Sequence, residues 1–165
     1  MYKTEAQTLA ETFEMVRSLS KFYLSKLGEI NVYDRLTINE KSFNSPYWIA
    51  AHLTWAEHFI LLEGLGAESL DISWLEKFGF GTVAPEKKDL PQFEEVLKKM
   101  DEVHENAMKI VKELTNEQLD EPNQLGITFG RENTKRALIK HAIRHEPMHI
   151  GQISWYLKLN DVKMP

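Results

Sequence analysis

Apolar residues recur every three or four positions along four stretches of the chain, the spacing of helices with one buried face. The predicted helices cover about residues 4–27, 45–65, 91–114 and 133–159. Gly28 can end the first helix, and Ser45-Pro46 suits the start of the second, an N-cap followed by proline at the first helical position. No stretch alternates as a strand does. The pattern predicts an all-α four-helix bundle formed by a single domain, residues 1–165.

The connections between these helices are long. Residues 67–90 contain one apolar cluster with Trp74, Phe78 and Phe80. Connections of this length usually carry function or some structure of their own. The cluster either covers a pocket or closes the end of the bundle.

Composition limits the cellular compartment and the classes of binding partner that we expect. The 165 residues are 42% apolar, enough for a real core, with no run suited to a membrane span and no signal-peptide pattern. The absence of cysteine excludes disulfides, thiolate ligands and a catalytic cysteine. The net charge of −5 and the dispersed lysines disfavour a nucleic-acid partner. We expect a cytoplasmic protein, and Leu19, Phe22 and Leu24 widen the apolar surface of the first helix enough to suggest a homodimer.

The candidate chemistry lies in histidines. His145 and His149 are four residues apart on the last helix, so their rings lie one turn apart on the stripe that should face the core. His52 faces the core from the second helix. Two readings stay open: the rings bind one metal ion, or they form hydrogen bonds with each other, with buried water or with nearby polar groups. Imidazole binds metal only when neutral, so the free pKa of about 6.5 predicts that affinity declines below that pH.

The other titratable residues receive lesser roles. His141 lies one turn before the pair and is not expected to be a ligand. His104, at the edge of its stripe, is better explained by packing or a hydrogen bond. His58 points more than 100° away from His52 and is expected in solvent, and Glu63 is too far along the helix to join His52. No interior ionisable residue stands out on the first helix, and no protein nucleophile or general base is evident, so the catalytic residues are unassigned.

Two segments carry a family resemblance. They are Ser-Pro-Tyr-Trp-Ile-Ala-Ala-His52 on the second helix and His145-Glu-Pro-Met-His149-Ile-Gly-Gln152 on the last. Together with the length and the four helices they resemble the DinB/YfiT-like superfamily. The resemblance implies an up-down-down-up bundle, often dimeric, with one divalent metal held by His52, His145 and His149. Pro147 is a departure that bears on the site, because it removes one helix hydrogen bond between the two last ligands.

The resemblance also bears on function, because members of the superfamily include bacillithiol S-transferases and mycothiol-dependent isomerases. Three imidazoles leave a tetrahedral ion one open position. The first hypothesis is a metal-dependent enzyme for a small-molecule substrate. It would use Zn, Ni or Fe to activate a low-molecular-weight thiol for S-transfer to an electrophile, or a water for hydrolysis. The second is a stress protein that binds metal or a small ligand without turnover.

Overall fold

A computed structural model describes residues 2–28, 30–82 and 85–163. Five α-helices account for most of it, together with single 3-10 turns at Leu75–Phe78 and Lys87–Asp89 and a π-helical segment at His58–Glu63. The helices are α1 (Glu5–Ser25), α2 (Pro46–Glu57), α3 (Phe93–Glu113), α4 (Asn116–Asp120) and α5 (Lys135–Leu159). The all-α prediction is confirmed, while the up-down-down-up order stays a prediction.

Local signals fix where the helices begin. Thr4 caps α1 in a reciprocal capping box with Gln7, and the Ser45 side chain accepts a hydrogen bond from the Trp48 backbone N–H. The Thr134 side chain caps α5 by accepting a hydrogen bond from the Ala137 backbone N–H. Both predicted starts, at Ser45 and near Thr134, are confirmed.

Two elements escaped the sequence patterns because each is too short to show a period. One is the helix α4. The other is an antiparallel hairpin of β1 (Thr37–Ile38) and β2 (Lys41–Ser42), whose turn residues Asn39 and Glu40 have positive φ. Neither carries a residue of the site described below.

Helices α1 and α2 share the same two long neighbours. Helix α1 contacts α3 and α5, and α2 contacts the same two helices. Helix α2 is buried on almost every face, from Pro46 to Ala56 and on through the π-helical segment. Helices α2 and α5, which carry the three candidate ligands, contact each other directly.

The expectation that His58 is solvated is wrong. The residue is 4% exposed, and its Nε2 accepts a hydrogen bond from the Leu70 backbone N–H at 3.0 Å. Its Nδ1 lies 3.2 Å from Oε1 of Glu63. A helix surrounded by core has no solvent face, so an angle of 100° from His52 leads to another buried environment rather than to water.

Helix α5 continues through Pro147 as one element. Pro147 is exposed, as its position on the helix predicts. Within the described residues, no helix combines the length and the apolar character needed to cross a membrane.

Candidate metal centre

Three histidine rings converge between α2 and α5. His52, His145 and His149 each offer one ring nitrogen, and these three atoms lie within 4.8 Å of one another. The Nε2 atoms of His145 and His149 are 3.2 Å apart. Two nitrogens bound to one tetrahedral ion at 2.0–2.1 Å would be roughly 3.3 Å apart. The pair therefore has the spacing of two ligands of one ion, although the same distance also suits an N–H···N hydrogen bond.

The His52 ring is held from both sides. Its Nδ1 donates a hydrogen bond to the backbone oxygen of Phe78 at 2.8 Å, and its face stacks on Trp48 at 4.6 Å between ring centroids. A neutral ring with its proton on Nδ1 has its lone pair on Nε2. The Phe78 carbonyl thus selects the tautomer that leaves Nε2 free to bind a cation, an arrangement common behind metal-binding histidines.

The connection before α3 supplies that carbonyl. The 3-10 turn Leu75–Phe78 packs on α2, with Trp74 and Phe78 buried. The sequence left open whether this cluster covers a pocket or closes the bundle. Trp74 and Phe78 belong to the core, whereas Phe80 is exposed and lines a cavity beside the histidines.

Burial keeps the three rings neutral. Desolvation is the largest cause that lowers the pKa of His145, to about 3, and the nearby His149 and His52 lower it further. Desolvation and His52 lower the pKa of His149 to about 4, against a smaller opposing contribution from Gln152. Burial also lowers the pKa of His52, opposed by its bond to Phe78. Neutral imidazole is the form that binds a metal ion, so the rings are ready to bind over the whole neutral range.

One buried polar atom of the cluster has no protein partner. Nδ1 of His149 is shielded from solvent, and no described residue meets hydrogen-bond geometry with it, although Gln152 lies near the ring. This atom lies across the ring from Nε2, which faces His145. If Nε2 bound an ion, Nδ1 would carry the ring proton, as the second nitrogen of metal-binding histidines does. The donor set, three neutral imidazole nitrogens with one tautomer fixed, fits a divalent ion of the zinc, nickel or iron type.

A cavity of about 630 Å³ adjoins the cluster. His52 and His145 belong to its wall, and the rest is largely aromatic and aliphatic. The lining residues are His52, Trp55, Ala56, Phe59, Ile60, Phe80, Ile127, Phe129, His141 and His145. Ligand sites commonly have this size and this apolar lining with a few polar groups. Within the described lining, no carboxylate or ammonium group is present.

His141 lies in that wall and outside the group of three. Its ring stacks on Phe129 with 3.7 Å between centroids, and its Nδ1 accepts hydrogen bonds from the Arg144 guanidinium at 3.0 and 3.3 Å. Burial and then the charge of Arg144 lower its pKa. A neutral ring whose Nδ1 lone pair is occupied carries its proton on Nε2. His141 therefore presents a hydrogen-bond donor, not a ligand.

A second polar cluster, which we call the Arg17 network, lies buried next to the histidines. It comprises Arg17 of α1, Glu57 of α2, His104 of α3 and Glu146 of α5, each at most 6% exposed. His104 Nδ1 lies 2.7 Å from a Glu57 carboxylate oxygen, which confirms the predicted hydrogen-bonding role of His104. The expectation that no interior ionisable residue stands out on α1 is wrong, because Arg17 is only 2% exposed. The catalytic residues stay unassigned.

One sequence signal bears on this network. Glu57 is the one acidic or basic side chain of Asp, Glu, Lys or Arg type in the largely apolar helix Pro46–Glu57, where such a residue must find a buried partner. Glu146 and Arg17 gave no such signal. Each has polar or charged neighbours in the sequence, as residues on a solvent-exposed helix face do.

The family is established by comparison with known proteins. The model of the DinB superfamily matches residues 12–153, and the chain belongs to this superfamily. The chain is also similar to the uncharacterized protein YjoA of Bacillus subtilis (strain 168), with 41% identity over 54 residues. That match covers 33% of this chain and 35% of YjoA, so it spans about a third of the relative's length.

Proposed function

We propose that this protein is a metal-dependent enzyme in which His52, His145 and His149 hold one divalent ion. The observation that carries the proposal is that the converging rings open onto a cavity of about 630 Å³, with His52 and His145 in its wall. A closed site without a cavity would instead suit storage of the ion. Zn, Ni and Fe all accept imidazole nitrogen, and the donor set does not select among them.

His52, His145 and His149 would hold the ion and leave room for a thiol or a water, and the ion would make the proton of that group easier to lose. The rest of the chemistry belongs to the cavity. Its walls are apolar and carry no described carboxylate to act as a general base for water, which favours a low-molecular-weight thiol as co-substrate. The chain contains no cysteine, so the sulfur must come from outside. We propose thiol S-transfer ahead of hydrolysis.

The walls also limit the acceptor. An electrophile that enters loses its hydration and gains contact with Trp55, Phe59 and Phe129, which suits an uncharged apolar or aromatic molecule. His141 lies in the same wall with its Nε2–H available as a donor. We propose that it orients an oxygen of the electrophile while the thiolate sulfur forms the new carbon–sulfur bond. The leaving group departs with the bonding electrons, and the thiol proton passes to solvent.

The proposal is tested by transfer assays on protein loaded separately with Zn(II), Ni(II) or Fe(II). Bacillithiol, mycothiol and 2-mercaptoethanol serve as thiols and 1-chloro-2,4-dinitrobenzene as the apolar electrophile. We expect a rate above the uncatalysed reaction with at least one thiol. His149→Ala should abolish it, whereas the matched control His58→Gln, a buried histidine outside the group of three, should keep it.

The alternative function is binding of metal or a small ligand without turnover. Metal bound at one ion per chain, with no transfer from any thiol and no hydrolysis of an apolar ester, would favour that alternative. Failure of the wild-type protein to bind any of the three ions would refute the enzyme proposal and the metal-binding form of the alternative, and it would leave only binding of a small ligand.

A further inference from the structure

Arg17 makes four hydrogen bonds from the middle of α1, a helix that carries none of the three ligands. Its Nε and Nη2 donate to the two carboxylate oxygens of Glu146 at 2.9 and 2.8 Å, a two-pronged pair. Nη2 also donates to Glu57 at 2.5 Å, and Nη1 donates to the backbone oxygen of Met100 at 3.0 Å. Paired donation of this kind fixes direction as well as distance, which a lysine ammonium does not do.

The two carboxylates belong to the helices that carry the ligands. Glu146 directly follows His145 on α5, at the turn where Pro147 removes one helix hydrogen bond. Glu57 ends α2, five residues after His52. A single guanidinium therefore joins the His52 helix to the helix of His145 and His149, close to the ligands on both sides.

The network also packs directly behind one ligand. Glu57, Glu146 and His145 line the same narrow gap, whose volume is only about 10 Å³. Close-packed interiors transmit small displacements, because they contain few voids to absorb them. A shift of either carboxylate would therefore reach the His145 ring.

Stability alone is a weak explanation for such a network. Burial lowers the pKa of Arg17, and the attraction of Glu57 and Glu146 outweighs that effect, so the net pKa is raised. The desolvation of buried ions often cancels their attraction, and apolar residues of similar volume can stabilise a core as well. What an apolar cluster lacks is a fixed angle and distance between two helices.

We infer that Arg17 is a positioning residue of the metal centre: through Glu57 and Glu146 it sets the register of α2 against α5, and so the geometry of the three histidine ligands. The inference rests on the proposed function, because it assumes that the three histidines hold an ion.

The test measures cobalt(II) binding by its visible absorption, which reports both affinity and coordination geometry. Arg17→Lys keeps the charge and loses the two-pronged pair. Glu57→Gln keeps the shape and removes one carboxylate, and it serves as well if Arg17→Lys fails to fold. We expect both variants to bind cobalt roughly 10- to 100-fold more weakly, the range found when groups behind a metal ligand are replaced, and to shift the absorption bands.

Two controls separate positioning from general stability. Arg136 also joins α5 to α1, with its Nε and Nη2 donating to the two oxygens of Glu5 at 2.7 and 3.0 Å, but it precedes His145 by nine residues. Arg136→Lys should leave cobalt affinity and bands unchanged. Leu119→Ala, which removes a fully buried side chain of α4, should lower the free energy of unfolding without changing the bands.

The outcomes are distinct. Unchanged affinity and bands in Arg17→Lys and Glu57→Gln, with a wild-type protein that binds cobalt, would overturn the inference and leave the proposed function intact. An equal loss in Leu119→Ala would overturn it as well, since the effect would then follow stability. A wild-type protein that binds neither cobalt nor Zn, Ni or Fe would overturn both the inference and the proposed function.

Discussion

Acidification should destabilise the metal-free protein through two histidines in particular. In the folded state the pKa of His145 is about 3 and that of His149 is about 4, mainly because burial disfavours the charged form. In the unfolded chain both have the ordinary value of about 6.5. Between pH 6.5 and pH 4 the unfolded chain therefore binds protons that the folded protein refuses. Over this interval the free energy of unfolding decreases as the pH is lowered. It stops decreasing once the rings of the folded protein also protonate.

The size of the effect follows from this difference in proton binding. In the unfolded chain the pKa of each ring lies about 1.5 units above pH 5. Proton binding to each ring therefore stabilises the unfolded state by about 2 kcal/mol at pH 5 relative to pH 7.5. Two rings give about 4 kcal/mol as an upper value. Both are only partly buried, so we expect 2–4 kcal/mol. This is a large share of the 5–15 kcal/mol that stabilises a typical domain.

The measurement is urea denaturation at pH 7.5 and pH 5 with a chelator present. The comparison is with the double variant His145→Gln/His149→Gln, which cannot protonate at these positions and keeps a polar side chain of similar size. Titration of groups that do not interact with these two rings cancels between the two proteins. The wild type should lose 2–4 kcal/mol more than the double variant. Equal losses would show that the rings titrate normally, and the argument from burial would be wrong.

Further expectations concern the ion and the assembly. Metal analysis should find one ion per chain in the wild type and in His141→Ala, and little in His52→Ala or His149→Ala; loss in His141→Ala would overturn its assignment as a donor. At 100-fold excess over Kd the ion should add about 2.7 kcal/mol to stability, seen as a fall in Tm on chelation at pH 7.5. Metal affinity should stay constant down to about pH 5, whereas free imidazole would predict a decline below about pH 6.5. Metal titrations across this pH range measure the difference. We also expect a homodimer through the apolar surface of α1, where Leu19 and Phe22 are exposed, and a monomer in sedimentation at micromolar concentration would count against it.

The four long helices and the inward faces of the three histidines were predictable because both follow the helical period. That these faces meet at one site was implied by the family resemblance. His145 and His149 share a face at four-residue spacing, and His52 falls on the inward face of α2. The caps at Ser45 and Thr134 depend only on neighbouring residues, so they too could be located in advance. Helical spacing and capping residues therefore predicted the features that depend on neighbouring residues.

The environment of His58 shows where local rules end. The helical period gives a direction from the helix axis but not what lies in that direction. The segment that covers His58 includes Leu70, whose backbone N–H bonds the ring. That segment follows the helix as a loop with no period of its own, so its path could not be derived from the pattern. The π-helical segment at His58–Glu63 also departs from the 3.6-residue period used to assign faces.

The Arg17 network was hidden for a different reason. Arg17 and Glu146 are separated by 129 residues, and each is unremarkable among charged neighbours. Only the fold shows that a single guanidinium neutralises carboxylates from two other helices. Sequence periodicity measures the average polarity of a face, and one buried charge in a partly polar helix changes that average very little.

The two buried polar clusters use adjacent positions of one helix for opposite purposes. His145 and Glu146 are consecutive, so their side chains leave α5 about 100° apart, one toward the histidines and one toward Arg17. The histidine cluster must stay uncharged to bind a cation, whereas the network depends on full charges held by hydrogen bonds. Removing Arg17 altogether would leave two buried carboxylates beside His145. Breaking a buried pair in this way costs about 3–5 kcal/mol, and nearby negative charge favours the protonated form of a histidine. Arg17→Ala would therefore disturb fold, charge and geometry at once, and for this reason Arg17→Lys is the variant that isolates the effect of geometry.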